Sequence, residues 1–181
     1  EYSDNTIIAL CSDHGFHLGE KERWAKRSLW EDGTRVPVVV ASPGHKLGQK
    51  TNRPAELLDV FPTLLELAGL PADSTQEGQS LVPLMKNPQR EWNHPAITSF
   101  GLGNYSVRST RYRFIQYFDG SRELYDLSKD PHEWKNLIDN PKLEKVIQEH
   151  ASFIPQKQHP ILPGSSTGHK AYAAAKKQLN K

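Results

Sequence analysis

Asp13 and His14 stand side by side in Ser12-Asp13-His14-Gly15, and a carboxylate beside an imidazole has two chemical uses. The pair can give a divalent cation an oxygen and a nitrogen ligand, or it can act as a base with its orienting partner. Gly15 lets the backbone turn sharply behind it. The plainer reading has Asp13 and His14 capping a turn or the next helix. His17, three residues further on, could reach the same place, although a loop histidine reads first as solvated. Cys11 is the single cysteine of the chain. It lies in an apolar run, where a small inert residue is a better reading than a nucleophile.

The elements that must position these groups begin with Ile7-Ile8-Ala9-Leu10-Cys11. The run is short, β-branched at its start and without a period of two, which predicts a strand buried on both faces of a parallel sheet. Open α/β sheets bind ligands just beyond the carboxyl ends of their strands. Asp13 and His14 therefore stand where a site belongs. Val36-Pro37-Val38-Val39-Val40-Ala41 predicts a second buried strand, with Pro37 tolerated at its start. Residues 16–35 between the runs are polar and aromatic, with no sustained helical period, and long loops of this kind are usually functional. Within them Arg35 reads as a brace, paired with Glu31. Trp24 and Trp30 could wall a sugar, but packing the loop down is the safer reading.

Further along, Leu57, Leu58, Phe61, Leu64, Leu65 and Ala68 share one helical face. Pro62 argues for a short segment up to Leu58, followed by a helix with Asp59 near its N-cap, Pro62 in its first turn and Gly69 just past its end. Its apolar side is expected to pack on the sheet. A short helical turn follows near residues 81–85. From Pro95 the pattern becomes antiparallel: strands over 96–100, 106–108, 112–118 and 123–127, joined by hairpin turns at 109–111 and 119–121. Arg108, Arg111 and Arg113 read as an exposed face of that sheet. A helix opens at Pro141 and runs to about Phe153, with Leu143, Val146, Ile147 and His150 on one stripe. Residues 155–181 read as an extended tail, with 171–179 able to form a helix when docked.

Composition narrows the function classes. Lys plus Arg number 23 and Asp plus Glu 21, a formal net charge of +2, so nothing favours nucleic acid or an anionic membrane surface. No apolar stretch approaches a membrane span. A parallel sheet needs several crossover units, yet only two buried runs occur. The chain is thus expected to be the C-terminal piece of a larger enzyme.

In four stretches the sequence resembles the sulfatases of the alkaline phosphatase superfamily. These are Ser12-Asp13-His14-Gly15; Lys26 followed by Glu31-Asp32-Gly33-Thr34-Arg35-Val36-Pro37; the run from Asp59 to Gly69; and Glu123-Leu124-Tyr125-Asp126-Leu127-Ser128-Lys129-Asp130-Pro131. With Leu18-Gly19-Glu20 and Trp24-Ala25-Lys26, it is most similar to the iduronate-2-sulfatase branch. The resemblance implies an α/β fold: the last strands of an alkaline-phosphatase-like sheet over 1–93, an antiparallel four-stranded subdomain with a packed helix over 94–154, and the tail over 155–181. It implies calcium as the metal, Asp13 and His14 as ligands, and His14 with Lys26 as catalytic groups, the ammonium of Lys26 facing a sulfuryl or leaving oxygen. It also implies a sulfated small molecule or saccharide as substrate, a periplasmic, secreted or lysosomal location, and a formylglycine nucleophile. The Cys/Ser-x-Pro/Ala-x-Arg motif that makes the nucleophile does not occur in residues 1–181. The segment alone is therefore expected to be inactive, with a missing N-terminal part as its partner. A phosphonate or phosphodiester hydrolase of the same superfamily and a non-catalytic binding domain with a degenerate site remain as alternatives.

Overall fold

The computed structural model describes residue 2 and residues 4–157. The helix expected over 171–179 lies outside the described residues. Two sheets organise the chain. The first pairs β1 (Ile8–Cys11) with β2 (Val38–Ala41), Ile8 opposite Ala41 and Cys11 opposite Val38. Its strands run antiparallel, which corrects the expected parallel pairing. They are not buried on both faces either: Ile8, Leu10 and Val39 are each more than half exposed, and Cys11 is exposed. β-Branched apolar runs favour extended backbone, but the run itself does not encode partner direction or what covers the faces.

Between the sheets lie two short helices and the turns that brace them. A 3₁₀ turn over Leu57–Asp59 leads into α2 (Val60–Leu67), and α3 spans Val82–Lys86; α1 is the single turn Glu31–Thr34 upstream. Pro62 falls in the first turn of α2, where its missing N–H costs nothing. At the far end Gly69 takes φ 69° and Leu70 N–H donates to Leu65 O at 2.9 Å, closing the helix as the glycine requires. Asp59 does not cap α2 with its side chain. Its carboxylate takes the Glu56 N–H at 2.8 Å and the Gln79 N–H at 2.7 Å, tying residues 78–81 to the helix start. The apolar side of α2 does not pack on a sheet as expected. Thr63 is its one buried residue, Leu57, Leu58 and Phe61 stay exposed, and its packing partner is α3.

The second sheet follows the expected strands closely. β3 (Ala96–Ser99), β4 (Tyr105–Arg108), β5 (Tyr112–Gln116) and β6 (Arg122–Asp126) form an antiparallel meander in sequence order. A 3₁₀ turn at Pro141–Leu143 opens α4 (Glu144–Ser152), which lies across one face. There Tyr105, Val107, Phe114 and Leu124 bury against Ile147 and Ile154. The opposite face is covered too: Ile115 and Tyr125 pack against Leu29, with Trp30, Phe100 and Tyr117 around them. Coverage of both faces explains why β5 alternates imperfectly, since Phe114 and Ile115 must both be apolar.

Candidate active site

β1 delivers the chain to Asp13 and His14, and β2 takes it up again at Val38, directly across the ladder from Cys11. Everything between is one long excursion closed at its base. Backbone rungs hold its limbs together: Gly15 N–H donates to Gly33 O at 3.1 Å, His17 N–H to Ala25 O at 3.0 Å, and Gly19 N–H to Arg23 O at 2.9 Å. The first rung demands glycine, because a Cβ on Gly15 would lie 2.0 Å from the Asp32 carbonyl oxygen.

Folding back in this way brings Lys26 to His14, twelve residues upstream, with Nζ 2.9 Å from the imidazole Nε2. The tautomer follows from the other nitrogen. His14 Nδ1 lies 2.7 Å from the Gly15 carbonyl, which can only accept, so Nδ1 carries the proton and Nε2 offers its lone pair to the ammonium. Asp13 Oδ2 approaches the same Nε2 at 3.5 Å, and its side chain is 84% exposed. Cys11, Ser12 and Asp13 form one wall of a shallow cleft of about 510 Å³, with Leu57, Val60, Phe61 and Leu64 opposite. Asp13, His14 and Lys26 thus form one cluster of an acid, a neutral ring and a cation.

Other residues of the loop depart from their expected places. His17 is fully buried, with Nε2 2.6 Å from Ser28 Oγ and its ring edge-on to Trp30. It is not a solvated histidine, because the rung to Ala25 turns it inward. Its donors gather with those of Glu20 and Asp32 within 4.8 Å, a group apart from Asp13 and His14. The Leu18 N–H, at 2.6 Å, is the main cause holding the Glu20 carboxyl below its ordinary range. Trp30 packs as expected, whereas Trp24 does not: it is 74% exposed. Sequence reasoning missed a third group, in which His94 Nε2 stands 3.5 Å from Glu56 Oε2 and 3.6 Å from Asp59 Oδ1. Burial, with the Asp59 charge adding to it, raises the Glu56 carboxyl above its usual range. Glu56 and Asp59 are spaced for a shared turn, but nothing in the sequence links them to a residue nearly forty positions away.

The largest correction concerns the arginines. Arg113 is not on an exposed face; it is 2% exposed, on the side of the sheet that faces the loop. It donates to Leu29 O at 3.0 Å and Ser106 Oγ at 2.6 Å, and pairs with Glu31. Its Nε lies 2.7 Å from Glu133 Oε1, an ion pair without an aligned hydrogen bond. Burial alone would raise Glu31, but the Arg113 and Arg108 guanidiniums hold it below its ordinary value. For Glu133 burial prevails and the carboxyl titrates higher than usual. Arg108 is part-buried, 3.5 Å from Glu31, while Arg111 is half exposed and binds Asp126 at 2.6 Å. Arg35 reaches Glu31 only at 4.0 Å from an exposed position, so the expected brace is the weakest of the Glu31 contacts.

Comparison with known proteins gives this geometry a family. Residues 19–159 match the family described as N-sulphoglucosamine sulphohydrolase, C-terminal. A sulfatase of Formosa agariphila is 43% identical over 155 residues, covering 86% of this chain and 31% of the relative. A Δ4,5-hexuronate-2-O-sulfatase of Bacteroides thetaiotaomicron is 33% identical over 165 residues, covering 83% of this chain and 34% of that protein. Among solved structures, a protein in complex with its substrate D-glucosamine-2-N,6-O-disulfate superposes with a TM-score of 0.73 at 28% identity. That match covers 82% of this chain and 33% of the other. The chain spans about a third of the length of the relatives it matches.

Proposed function

The chain belongs to the sulfatase family, in its N-sulphoglucosamine sulphohydrolase C-terminal segment, and from that premise we propose that it supplies part of the active site of an enzyme hydrolysing sulfate esters. One observation carries the reading: Lys26, His14 and Asp13 converge at the end of β1, with Lys26 Nζ 2.9 Å from His14 Nε2. A sulfate ester leaves as an alkoxide while negative charge persists on the sulfuryl oxygens. A fixed ammonium near those oxygens lowers the barrier by electrostatic stabilisation that needs no reorganisation. The His14 ring, pinned through Nδ1 to Gly15 O, receives the Lys26 ammonium at its Nε2 lone pair and keeps it aimed.

The residues present fit a hard cation in part. Asp13 offers exposed carboxylate oxygens at the cleft, the donor type calcium takes in shells of roughly six to eight oxygens. His14 has its free lone pair turned to Lys26, so in this arrangement it serves the site as an orienting group before it serves as a ligand. Calcium bound by Asp13 and by ligands from outside this segment would neutralise sulfuryl charge. We assign a sulfated saccharide as substrate and, on the Leu18-Gly19-Glu20 and Trp24-Ala25-Lys26 stretches, the iduronate-2-sulfatase branch. The 33% identity to a hexuronate 2-O-sulfatase supports this assignment. A periplasmic, secreted or lysosomal location goes with it; no described helix is long and apolar enough to cross a membrane.

The test is Lys26→Ala in the protein that carries this segment together with its remaining sulfatase sequence. Turnover of a sulfate ester is expected to fall about a hundredfold, the rate equivalent of roughly 3 kcal/mol. The unfolding free energy from denaturant titration should change by no more than about 0.5 kcal/mol, because Lys26 is exposed. Lys26→Arg should recover little, since a planar fork cannot place its charge where a compact ammonium was. Near-parental turnover in Lys26→Ala removes Lys26 from the site. A phosphonate monoester hydrolysed faster than a sulfate ester by the parent protein overturns the assigned chemistry.

A further inference from the structure

We propose that the four-stranded sheet positions the Lys26–His14 pair through two cationic clamps on the loop, Arg113 from the sheet and Lys21 from the loop itself. The strands that carry the two ends of the loop give it little cover, with Ile8, Leu10 and Val39 each more than half exposed, and Lys26 is itself exposed. Its anchorage is instead at residues 20–31, on either side of Lys26.

On the downstream side the contacts converge at Arg113. The guanidinium takes the Leu29 carbonyl and the Glu31 carboxylate, and it shares Glu133, whose Oε2 in turn accepts the Glu31 N–H at 2.8 Å. The Leu29 carbonyl and both the side chain and the backbone amide of Glu31 are therefore fixed, with Trp30 between them. Trp30 adds its own bond, Nε1 donating to Glu123 Oε2 at 2.7 Å. On the upstream side Lys21 crosses to the same region. Its ammonium donates to the Glu133 carbonyl and stands 4.7 Å from the Tyr125 ring centre, 5.2 Å from Trp30 and 5.6 Å from Trp134. Three aromatic faces and a carbonyl around one ammonium make a site selective for a cation. Both clamps end on Glu133, which is 1% exposed, so the two limbs of the loop are referred to one rigid point. Residues 23–28, with Lys26 among them, are carried between those fixed points, and the rung from His17 to Ala25 passes the constraint to the limb that bears His14.

Arg113 and Lys21 are thus positioning residues: neither touches His14 or the cleft. Their role rests on the preceding functional reading only for its kinetic arm. The first experiment uses the 181-residue chain and needs no activity. Imidazole nitrogen signals of His14 report whether Nδ1 is protonated and Nε2 accepts a hydrogen bond, and amide exchange at His17 and Gly19 reports the rungs. Lys21→Met keeps an apolar stem among the rings and loses the charge. It is expected to speed exchange at His17 and Gly19 by about tenfold and to shift the His14 Nε2 signal, while β5 and β6 amides keep their protection. Arg113→Met should do the same more strongly if it folds, and Arg113→Lys should restore part of the parental pattern. Unchanged His14 signals and loop exchange in folded Lys21→Met overturn the proposal, whatever Arg113→Met does. So does equal loosening of the loop and of β5–β6, which would make the clamps general stabilisers.

In the complete protein, Lys21→Met is expected to lower kcat about tenfold, with KM changed by less than about threefold. If the His14 signature is lost and kcat stays parental, the positioning stands and it is the catalytic role of Lys26 and His14 that fails.

Discussion

The two sheets of this molecule are both built from short antiparallel strands and live in different surroundings. β1 and β2 are apolar and leave Ile8, Leu10, Cys11 and Val39 exposed; β4, β5 and β6 mix tyrosines, arginines and serines with aliphatics and are covered on both faces. The exposed pair carries the Asp13–His14 corner. The covered sheet carries none of the candidate site groups, yet it holds the loop that brings Lys26 to them. On the proposed function, chemistry and rigidity are divided between regions: the candidate side chains stand where water can reach, and the contacts that hold their loop lie where it cannot. The buried Arg113 is the point at which the division is bridged. A charge is tolerated there because two carboxylates, a carbonyl and a hydroxyl surround it.

Four measurements test this contrast. The largest effect is expected in the covered sheet: Phe114 is fully buried between β4, β6 and α4, and Phe114→Ala should cost about 3–5 kcal/mol in denaturant unfolding. A loss below roughly 1 kcal/mol would mean that the sheet is not the rigid partner. Next comes the base of the excursion. In Gly15→Ala the new methyl would meet the Asp32 carbonyl at 2.0 Å, so a loss of about 1–3 kcal/mol is expected. Lost amide protection at residue 15 should accompany it, since that N–H bonds Gly33 O.

A pH effect of smaller size is expected from α4. His150 is buried, with Nδ1 2.7 Å from Val146 O and Nε2 2.9 Å from Ser109 Oγ, and burial holds its pKa below the ordinary value. The folded state therefore prefers the neutral ring, and as pH falls the unfolded chain takes up the proton first. Stability from this group is complete above the ordinary histidine pKa of about 6.5 and declines as pH drops below it, until the folded ring also titrates. The slope of unfolding free energy against pH between about 4 and 7 should flatten in His150→Gln. The smallest effect belongs to the exposed pair: Ile8→Thr should change stability by no more than about 0.5 kcal/mol. A cost several times larger would show that this face is covered in solution.

The covered sheet was legible almost strand by strand, because hairpin turns at 109–111 and 119–121 fix the register of neighbours in sequence. The first sheet was not. An apolar run such as Ile7–Cys11 reads the same whether its partner is parallel or antiparallel, and the connection to β2 is too long for a turn rule to apply. Asp13 and His14 were legible as a candidate pair because adjacency is a property of sequence. Lys26 was named from the pattern of its stretch; its 2.9 Å contact with His14 depends on the backbone rungs Gly15–Gly33 and His17–Ala25, which no local rule encodes.

Arg113 and His17 mark the boundary most sharply. An arginine on a strand and a histidine on a polar loop are both more often solvated, and each reads that way until the partner arrives. Glu31, Glu133 and Leu29 lie 82, 20 and 84 positions from Arg113 in the chain, and Ser28 lies eleven from His17. Contiguous residues encode the secondary structure of the four-stranded sheet, the corner at Asp13-His14-Gly15 and the family pattern. Tertiary structure alone decided the direction of the first strand pair, the burial of Arg113 and His17, and the meeting of Lys26 with His14. Burial and pairing are properties of distant residues brought together, and their energies exist only once the chain has closed on itself.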